Sequence, residues 1–180
     1  MNFRIEKKYR IISSNLNEFF KWLHSNNFKE IHKKRLISSI YYDNVNLSMY
    51  NDSLEGVIPR KKIRIRSYDQ VKKFYKEEKL TTQEGEFKDS KKINFLENHK
   101  ILIDKDYGVC NKILTIMYNR QYFLKENIRV TIDTDINYQK INSDMLFSDD
   151  QKFNTCVIEF KTSKIDDFNN IKDKIPLDEI

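Results

Sequence analysis

The sequence has 180 residues, of which 39% are hydrophobic and 33% are charged, so it can build a packed core and is not typical of a disordered chain. Lysine and arginine exceed aspartate and glutamate by 33 to 27, and the net charge of +6 favours an anionic partner: nucleic acid, a phosphorylated molecule or a membrane surface. No stretch resembles a signal peptide or the roughly 20 apolar residues of a membrane span, so we expect a cytoplasmic or cytosol-facing protein.

The first half of the chain mixes predicted strands and helices. Residues 3–11 alternate as a strand that places Glu6 and Lys8 on one face, because side chains along an extended chain point to opposite sides in turn. A polar start followed by apolar residues at helical spacing predicts a helix over 13–27, and a short helix is expected at 46–54. Further strands are predicted at 38–44, 61–69 and 72–82.

The strand at 61–69 raises the question of function. Arg64 and Arg66 alternate there with Ile63 and Ile65, so the cations should project from one face and the isoleucines from the other. Such a face can simply be solvated, or it can protect a sheet edge from unwanted pairing. The pattern becomes informative only if other strands repeat it.

The second half of the chain does repeat it. Predicted strands carry Arg120 (119–124), Arg129 (128–136) and the pair Glu159 and Lys161 (156–163). Two more helices are expected at 109–119 and 166–175.

The polar faces of these strands hold mostly arginine and lysine with an occasional glutamate, unlike the mixed charges of a solvated surface. If the sheet closes into a barrel, this face becomes a lumen. Many cations in one lumen require an anion of high charge density to neutralise them, and polyphosphate fits best, since arginine offers a planar fork and lysine a compact charge. A carboxylate among them suits a divalent metal that bridges it to phosphate.

Other chemistries have little support in the sequence. His24, His32 and His99 lack the spacing of metal ligands or of a catalytic triad, and no glycine-rich phosphate loop occurs. Cys110 and Cys156 are expected to be free, buried thiols. Phosphate binding would therefore depend on side chains.

Seven short motifs occur in an order that matches one known family: IEKKY at 5–9, SIYYDN at 39–44, IRIRSY at 63–68, EEKLT at 77–81, YNRQYF at 118–123, IRVTID at 128–133 and VIEFKT at 157–162. Together they resemble the VTC domain, the polyphosphate-polymerase domain of the vacuolar transporter chaperone complex and its bacterial relatives. That domain belongs to the triphosphate tunnel metalloenzyme (CYTH-like) superfamily.

The resemblance implies an α+β fold, an antiparallel β-barrel tunnel with flanking helices and a lumen lined by basic residues. It implies one such domain over residues 1–180, without the C-terminal Ser-Lys-Tyr segment of the family, and Asn94 stands where a further arginine is expected. The implied substrate-binding residues are Lys8, Arg64, Arg66, Lys79, Lys92, Arg120, Arg129 and Lys161; of these, Arg64, Arg66, Lys79, Arg120 and Arg129 would also be catalytic. The resemblance further implies that Glu159, with Glu6 as a second ligand, holds Mn²⁺ or Mg²⁺.

The activity that the resemblance implies is transfer of the γ-phosphoryl group of ATP to a growing polyphosphate chain. Two alternatives stay open: a tunnel triphosphatase acting on inorganic or nucleotide triphosphate, and a non-catalytic polyphosphate-binding module. ATP or another triphosphate and polyphosphate are the expected partners, and a membrane-protein partner stays open. Nucleic acid is not expected, because the aromatic residues fall within strands rather than beside exposed cations.

Overall fold

The computed structural model describes residues 5–69, 73–94, 100–140, 151–152, 154–172 and 174–176. Its fold is α+β, with an antiparallel sheet and helices that pack against it. The strands are β1 (Ile5–Ile12), β2 (Lys29–Asp43), β3 (Arg60–Tyr68), β4 (Phe74–Thr82), β5 (Gly85–Ile93), β6 (Ile101–Asp104), β7 (Gly108–Lys125), β8 (Ile128–Lys140), β9 (Gln151–Lys152) and β10 (Thr155–Thr162). The α-helices are α1 (Leu16–Ser25), α2 (Ser48–Glu55) and α3 (Ile165–Lys172).

The strands form one hydrogen-bonded sheet in the order β1-β10-β8-β7-β2-β3-β4-β5, with β6 beside β7 and β9 beside β8. The predicted antiparallel α+β architecture is confirmed. Among the described residues this order has two ends, β1 and β5, so the pairing does not close the sheet into a complete ring. None of the helices in the described ranges is long and apolar enough to cross a membrane.

The chain divides into two compact units, and β2, β7, β8 and β9 contribute residues to both. Unit 1 comprises Met1–Leu36, Tyr118–Ile136 and Lys152–Ile180; unit 2 comprises Ile37–Met117 and Asn137–Gln151. The expectation of a single domain over the whole chain stays a prediction.

The core of unit 1 lies between one face of its strands and helices α1 and α3. Phe160 is at its centre, with ring centroids 5.7 Å from Tyr9, 6.2 Å from Phe19 and 5.8 Å from Phe168. Helix α1 contributes Phe19 and Leu23 to this core, which are fully buried, as the apolar stripe of the sequence predicted. No side-chain hydrogen bond caps this helix at Asn15, although the sequence offered polar candidates there. Since burial of large apolar side chains is the main favourable term in folding, this face of the sheet is committed to the core.

The core of unit 2 contains the isoleucines of β3. Ile63 and Ile65 are buried with Tyr42, Met49 and Cys110. Helix α2 begins where the Asp43 carboxylate accepts hydrogen bonds from the backbone N–H groups of Met49 (3.0 Å) and Tyr50 (2.9 Å). These bonds satisfy donors that the first turn of a helix leaves without partners. The helix is thereby attached to the end of β2.

Several predicted elements differ from the observed ones. The helix expected at 109–119 is wrong, because these residues belong to β7, whose first residues pair with β6 as a hairpin. Strand β2 begins at Lys29, well before the predicted residue 38, and strands β5 and β6 were not expected. The helices predicted at 13–27, 46–54 and 166–175 are confirmed in shorter form as α1, α2 and α3.

The two cysteines are placed as predicted. Cys110 and Cys156 are free and buried, and burial raises the pKa of both thiols. His32 packs edge-on against Tyr122, with ring centroids 5.4 Å apart. His99 lies outside the described residues.

Candidate functional site: two charged sheet faces

The polar face of unit 1, which we call the Glu159 face, is formed by three paired strands and β7. Across β1, β10 and β8, one row of opposed residues is Lys8, Glu159 and Thr131. The next row on the same face is Glu6, Lys161 and Arg129. Residues directly opposite one another in an antiparallel pair share a face. The Glu159 face therefore comprises Glu6, Lys8, Arg120, Arg129, Thr131, Asp133, Glu159 and Lys161.

Lys161 connects the two predicted metal ligands. Its Nζ lies 2.6 Å from Glu6 Oε1 and 3.3 Å from Glu159 Oε2. The other carboxylate oxygen of Glu159 lies 3.4 Å from Lys8 Nζ. Glu159 is buried while the side chain of Lys8 is mostly exposed, so the second ion pair is the weaker one. The four predicted residues thus form a continuous chain of alternating charge.

Arg120 and Asp133 form a bidentate ion pair on the same face. Arg120 Nε donates to Asp133 Oδ1 at 2.5 Å, and Nη2 donates to Oδ2 at 2.6 Å. Burial opposes the charged guanidinium, but the hydrogen bonds and charge of Asp133, with Tyr118 and Glu159, outweigh burial and raise the pKa of Arg120 above its ordinary value. Arg120 is therefore a permanently charged group in a fixed orientation.

Two buried polar atoms of the Glu159 face have no partner within the described part of the chain. They are Nε of Arg129 and Oγ1 of Thr131. A buried donor or hydroxyl without a hydrogen bond costs free energy, and such groups in a native fold commonly mark a place where water or a ligand binds. Arg129 lies opposite Lys161 and Thr131 opposite Glu159. The unsatisfied atoms therefore lie beside Glu159 and Lys161, and the family resemblance assigns Glu159 to the metal.

The polar face of unit 2, which we call the Arg64 face, is built on β3 and its neighbours. Tyr41, Arg64 and Glu77 form one row across β2, β3 and β4, and Ser39, Arg66, Tyr75 and Lys92 form the next. Lys62, Lys79 and Lys88 form a third row. Arg64 and Arg66 thus lie opposite the buried Ile63 and Ile65 side of β3, as the alternation predicted.

Glu77 is a buried carboxylate among the cations of the Arg64 face. Its Oε2 accepts a hydrogen bond from Arg64 Nε at 2.7 Å and lies 3.7 Å from Arg66 Nη1, while its Oε1 accepts one from Lys88 Nζ at 2.8 Å. Burial alone would raise the pKa of Glu77, but Lys88, Arg64 and Arg66 outweigh burial and hold it below the ordinary value. Glu77 therefore remains ionised and partly neutralises three cations.

The remaining predicted residues of unit 2 are more exposed. Lys79 forms an ion pair with Glu86 at 2.7 Å, and both side chains are partly open to solvent. Lys92 is exposed and lies opposite Tyr75, on the same face as Arg66. Lys92 is thus in phase with the other cations of the Arg64 face.

The structure groups the predicted residues by unit. Unit 1 holds Glu6, Lys8, Arg120, Arg129, Glu159 and Lys161, and unit 2 holds Arg64, Arg66, Lys79 and Lys92. Sequence reasoning missed the carboxylates Glu77 and Asp133 as partners of the arginines, and it missed Thr131. All three are in phase with the cations along their strands. Alternation, however, carries no information about which side chains pair across strands.

The carboxylates of the Glu159 face suit a divalent cation that is bound together with phosphate. Among the described residues, no group of three or more His, Cys, Asp or Glu side chains comes together as a complete metal cage. Mg²⁺ is commonly held by one or two carboxylates, with water and phosphate oxygens completing its shell. Glu159 and Glu6 can supply that number, and the unsatisfied hydroxyl of Thr131 is a further hard oxygen beside Glu159. The donor set therefore fits Mg²⁺ or Mn²⁺.

A model of the VTC domain family matches residues 3–108 and 104–178 of the sequence. The chain belongs to the VTC domain family. The match extends over both units and includes every residue discussed above. No curated protein matches the sequence at a significant level.

Solved structures share the fold of this VTC-family chain. A candidate adenylate cyclase from Bacillus halodurans is 14% identical, with a TM-score of 0.65, and the match covers 100% of this chain and 94% of that one. The PH1012 protein of Pyrococcus horikoshii is 10% identical, with a TM-score of 0.62, and the match covers 98% and 92%. HpAC1 from Hippeastrum, a candidate adenylyl cyclase with a dominant triphosphatase activity, is 17% identical, with a TM-score of 0.57 and coverage of 99% and 91%.

Proposed function

We propose that this VTC-family chain is a metal-dependent polyphosphate polymerase that transfers the γ-phosphoryl group of ATP to the end of a polyphosphate chain. The observation that carries the proposal is the pair of unsatisfied buried atoms on the Glu159 face, Arg129 Nε and Thr131 Oγ1. A phosphate oxygen can accept a hydrogen bond from each of them, and it is the ligand most compatible with the neighbouring Lys161 and Arg120.

The chain's own residues supply positioning and charge rather than covalent chemistry. Arg120 is held in one orientation by Asp133, and Arg64 by Glu77, so neither guanidinium needs to reorganise when charge shifts on the phosphate. In unit 1, Arg120 and Arg129 bind and neutralise phosphate groups and Lys8 and Lys161 add positive charge beside them. In unit 2, Arg64 and Arg66 have the same role and Lys79 and Lys92 add the charge. Phosphoryl transfer through a loose transition state needs little more from a protein.

Glu159, with Glu6, holds Mn²⁺ or Mg²⁺ in this proposal. When bound, the metal supplies additional positive charge to phosphate oxygens. Lys161 contacts both carboxylates, so its ammonium group would have to move if they held a cation, and a bound phosphate could then pair with it. The alternating charges of the Glu159 face provide for such an exchange without leaving a carboxylate unpaired.

Among enzymes that transfer phosphoryl groups, membership in the VTC domain family supports a polymerase. The nucleophile of that reaction is the terminal phosphate of the acceptor chain, so the enzyme needs no activated serine, cysteine or histidine. The free cysteines are buried and have raised pKa values, which makes them poor nucleophiles. The expected substrates are ATP and polyphosphate.

A second candidate function is hydrolysis of inorganic or nucleotide triphosphate. It is favoured by the structural similarity to HpAC1, which has a dominant triphosphatase activity. The same cations and metal would act, with water instead of phosphate as the acceptor. The two candidates differ only in the nucleophile, and so they are distinguished by their products.

The test is a gel that resolves polyphosphate chain lengths after incubation of the purified protein with ATP, Mn²⁺ and a short polyphosphate primer. The proposal predicts chains that lengthen with time. Release of orthophosphate without lengthening would instead establish the triphosphatase. Retention of the primer without either product would identify a binding module and contradict both enzymatic functions.

A further inference from the structure

Glu77 has a position that phosphate binding alone does not explain. Its side chain is only 5% exposed, yet it carries a negative charge on a face that should attract anions. A carboxylate there weakens the local positive potential. Its place on this face therefore requires another explanation.

The geometry of Arg64 supplies that reason. Arg64 Nε and Nη2 both lie 2.7 Å from Glu77 Oε2, and Arg64 Nη1 donates to the hydroxyl of Tyr41 at 3.0 Å. A guanidinium has five N–H groups in one rigid plane. Contacts within the described ranges therefore engage three of them and fix the plane from two sides. The side chain is 25% exposed, so the other two N–H groups can reach a ligand.

We propose that Glu77 is a positioning residue which, together with Tyr41, orients the guanidinium of Arg64 so that its two remaining N–H groups bind phosphate oxygens. The proposal rests on the proposed function, since it takes the ligand to be a phosphate chain. Arg66 and Lys88 share the same carboxylate and are held around it. Glu77 increases phosphate affinity through this arrangement although its charge repels phosphate.

The direction in which a charge-removing substitution changes phosphate affinity separates this role from simple electrostatics. Glu77→Gln makes the net charge more positive by one, so Coulomb attraction alone predicts tighter binding of a phosphate chain. Loss of orientation predicts weaker binding, because the charge-assisted hydrogen bond and the ion pair to Arg64 are replaced by weaker contacts and the guanidinium becomes free to rotate. The two accounts predict opposite changes in affinity.

The experiment is calorimetric titration of the full chain with tripolyphosphate at fixed ionic strength. We expect Glu77→Gln to weaken binding roughly tenfold, and Tyr41→Phe to weaken it by a smaller factor in the same direction. In an Arg64→Lys background the effect of Tyr41→Phe should disappear and that of Glu77→Gln should become smaller, since lysine has no plane to orient and Glu77 then holds only Arg66 and Lys88. Glu78→Gln is the matched control: Glu78 is the next residue of β4, lies on the other face and pairs with Lys76 at 2.7 Å. We expect it to leave affinity within about twofold.

The outcomes are distinguishable from those of the proposed function. If the unaltered protein does not bind tripolyphosphate, the proposed function fails and the positioning role fails with it. If the unaltered protein binds and Glu77→Gln binds equally or more tightly, only the positioning role is overturned. An effect of equal size in the Arg64→Lys background would likewise overturn it. Tyr41→Phe tests the same orientation of Arg64 if Glu77→Gln does not fold.

Discussion

Lys161 and Glu6 lie directly opposite one another on paired strands, with Lys161 Nζ 2.6 Å from Glu6 Oε1. The same ammonium group lies 3.3 Å from Glu159, so one lysine contacts both carboxylates that are predicted to hold a metal. The Glu159 face carries four cations against three carboxylates, so it attracts an anion, and a cation that binds with this anion would keep the carboxylates paired. This arrangement is the reason that we expect phosphate and metal to bind with positive cooperativity.

The first prediction concerns Glu159. Replacing it with glutamine keeps the size of the side chain but removes the charge that attracts the metal. We expect Glu159→Gln to abolish metal-dependent turnover of ATP while the unfolding temperature stays close to that of the unaltered protein. Turnover at several Mn²⁺ concentrations and a thermal melt measure the two effects. An unchanged rate would remove Glu159 from the metal site.

The second prediction concerns the ion pair of Arg120 and Asp133. Asp133→Asn leaves a partly buried guanidinium with a neutral partner, so we expect the free energy of unfolding to fall by about 2 kcal/mol. Asp135→Asn is the control, because Asp135 is an exposed carboxylate whose contact with Lys34 contributes at most about 1 kcal/mol. Urea denaturation measures both variants. Equal losses in the two variants would contradict the structural importance of the Arg120 pair.

The third prediction is loss of stability in acid. Burial would raise the pKa of both Glu77 and Asp104, but Lys88, Arg64 and Arg66 around Glu77, and Lys61 beside Asp104, hold these pKa values below the ordinary 4.5 and 3.8. A group with a lower pKa in the folded state stabilises the fold above its unfolded pKa, and this contribution is lost as the pH falls through the folded pKa.

We therefore expect the free energy of unfolding to be nearly constant above about pH 5 and to decrease steadily below about pH 4. The measurement is urea denaturation as a function of pH. Asp104→Asn should flatten the acid slope at the expense of stability at neutral pH, since Lys61 loses its 2.7 Å partner. A free energy that rises towards pH 3 would contradict the assigned ion pairs.

The fourth prediction concerns the core of unit 1. Phe160 contacts aromatic rings from β1, α1 and α3, so we expect Phe160→Ala to reduce the free energy of unfolding by about 3–5 kcal/mol. Phe87→Ala is the matched control, since Phe87 is 48% exposed and should cost less than about 1 kcal/mol. Chemical denaturation distinguishes them. A small effect at Phe160 would mean that the face opposite Glu159 is not the core.

Much of the sheet could be predicted from alternation. Ile63 and Ile65 pointed to the core and Arg64 and Arg66 to the other face, and the structure confirms both. The segment 109–119, predicted as a helix, is instead part of β7. Its first residues pair with β6 up to Asn111, and the rest of β7 lies between β8 and β2 in the sheet; such pairing is not visible in local periodicity.

Other features had no local signal at all. Strand β5 is almost entirely exposed and polar, so hydrophobic periodicity could not reveal it. The role of Glu77 depends on Arg64 and Lys88, each 11 or more positions away in the chain and on a different strand. Alternation assigned the charged residues to the correct face, while the choice of partners came from strand register.

The measurement that tests the account most directly is a phosphorus NMR time course of the protein with ATP, short polyphosphate and Mg²⁺. The spectrum distinguishes the γ-phosphate of ATP, the internal phosphates of a chain and free orthophosphate in one sample. The account predicts that the γ-phosphate signal decreases while internal-phosphate signal increases, and that neither changes in Glu159→Gln. A γ-phosphate signal that stays constant in the unaltered protein would contradict phosphoryl transfer. It must stay constant both with Mg²⁺ and in a parallel reaction that contains Mn²⁺ and is quenched before the spectrum is recorded.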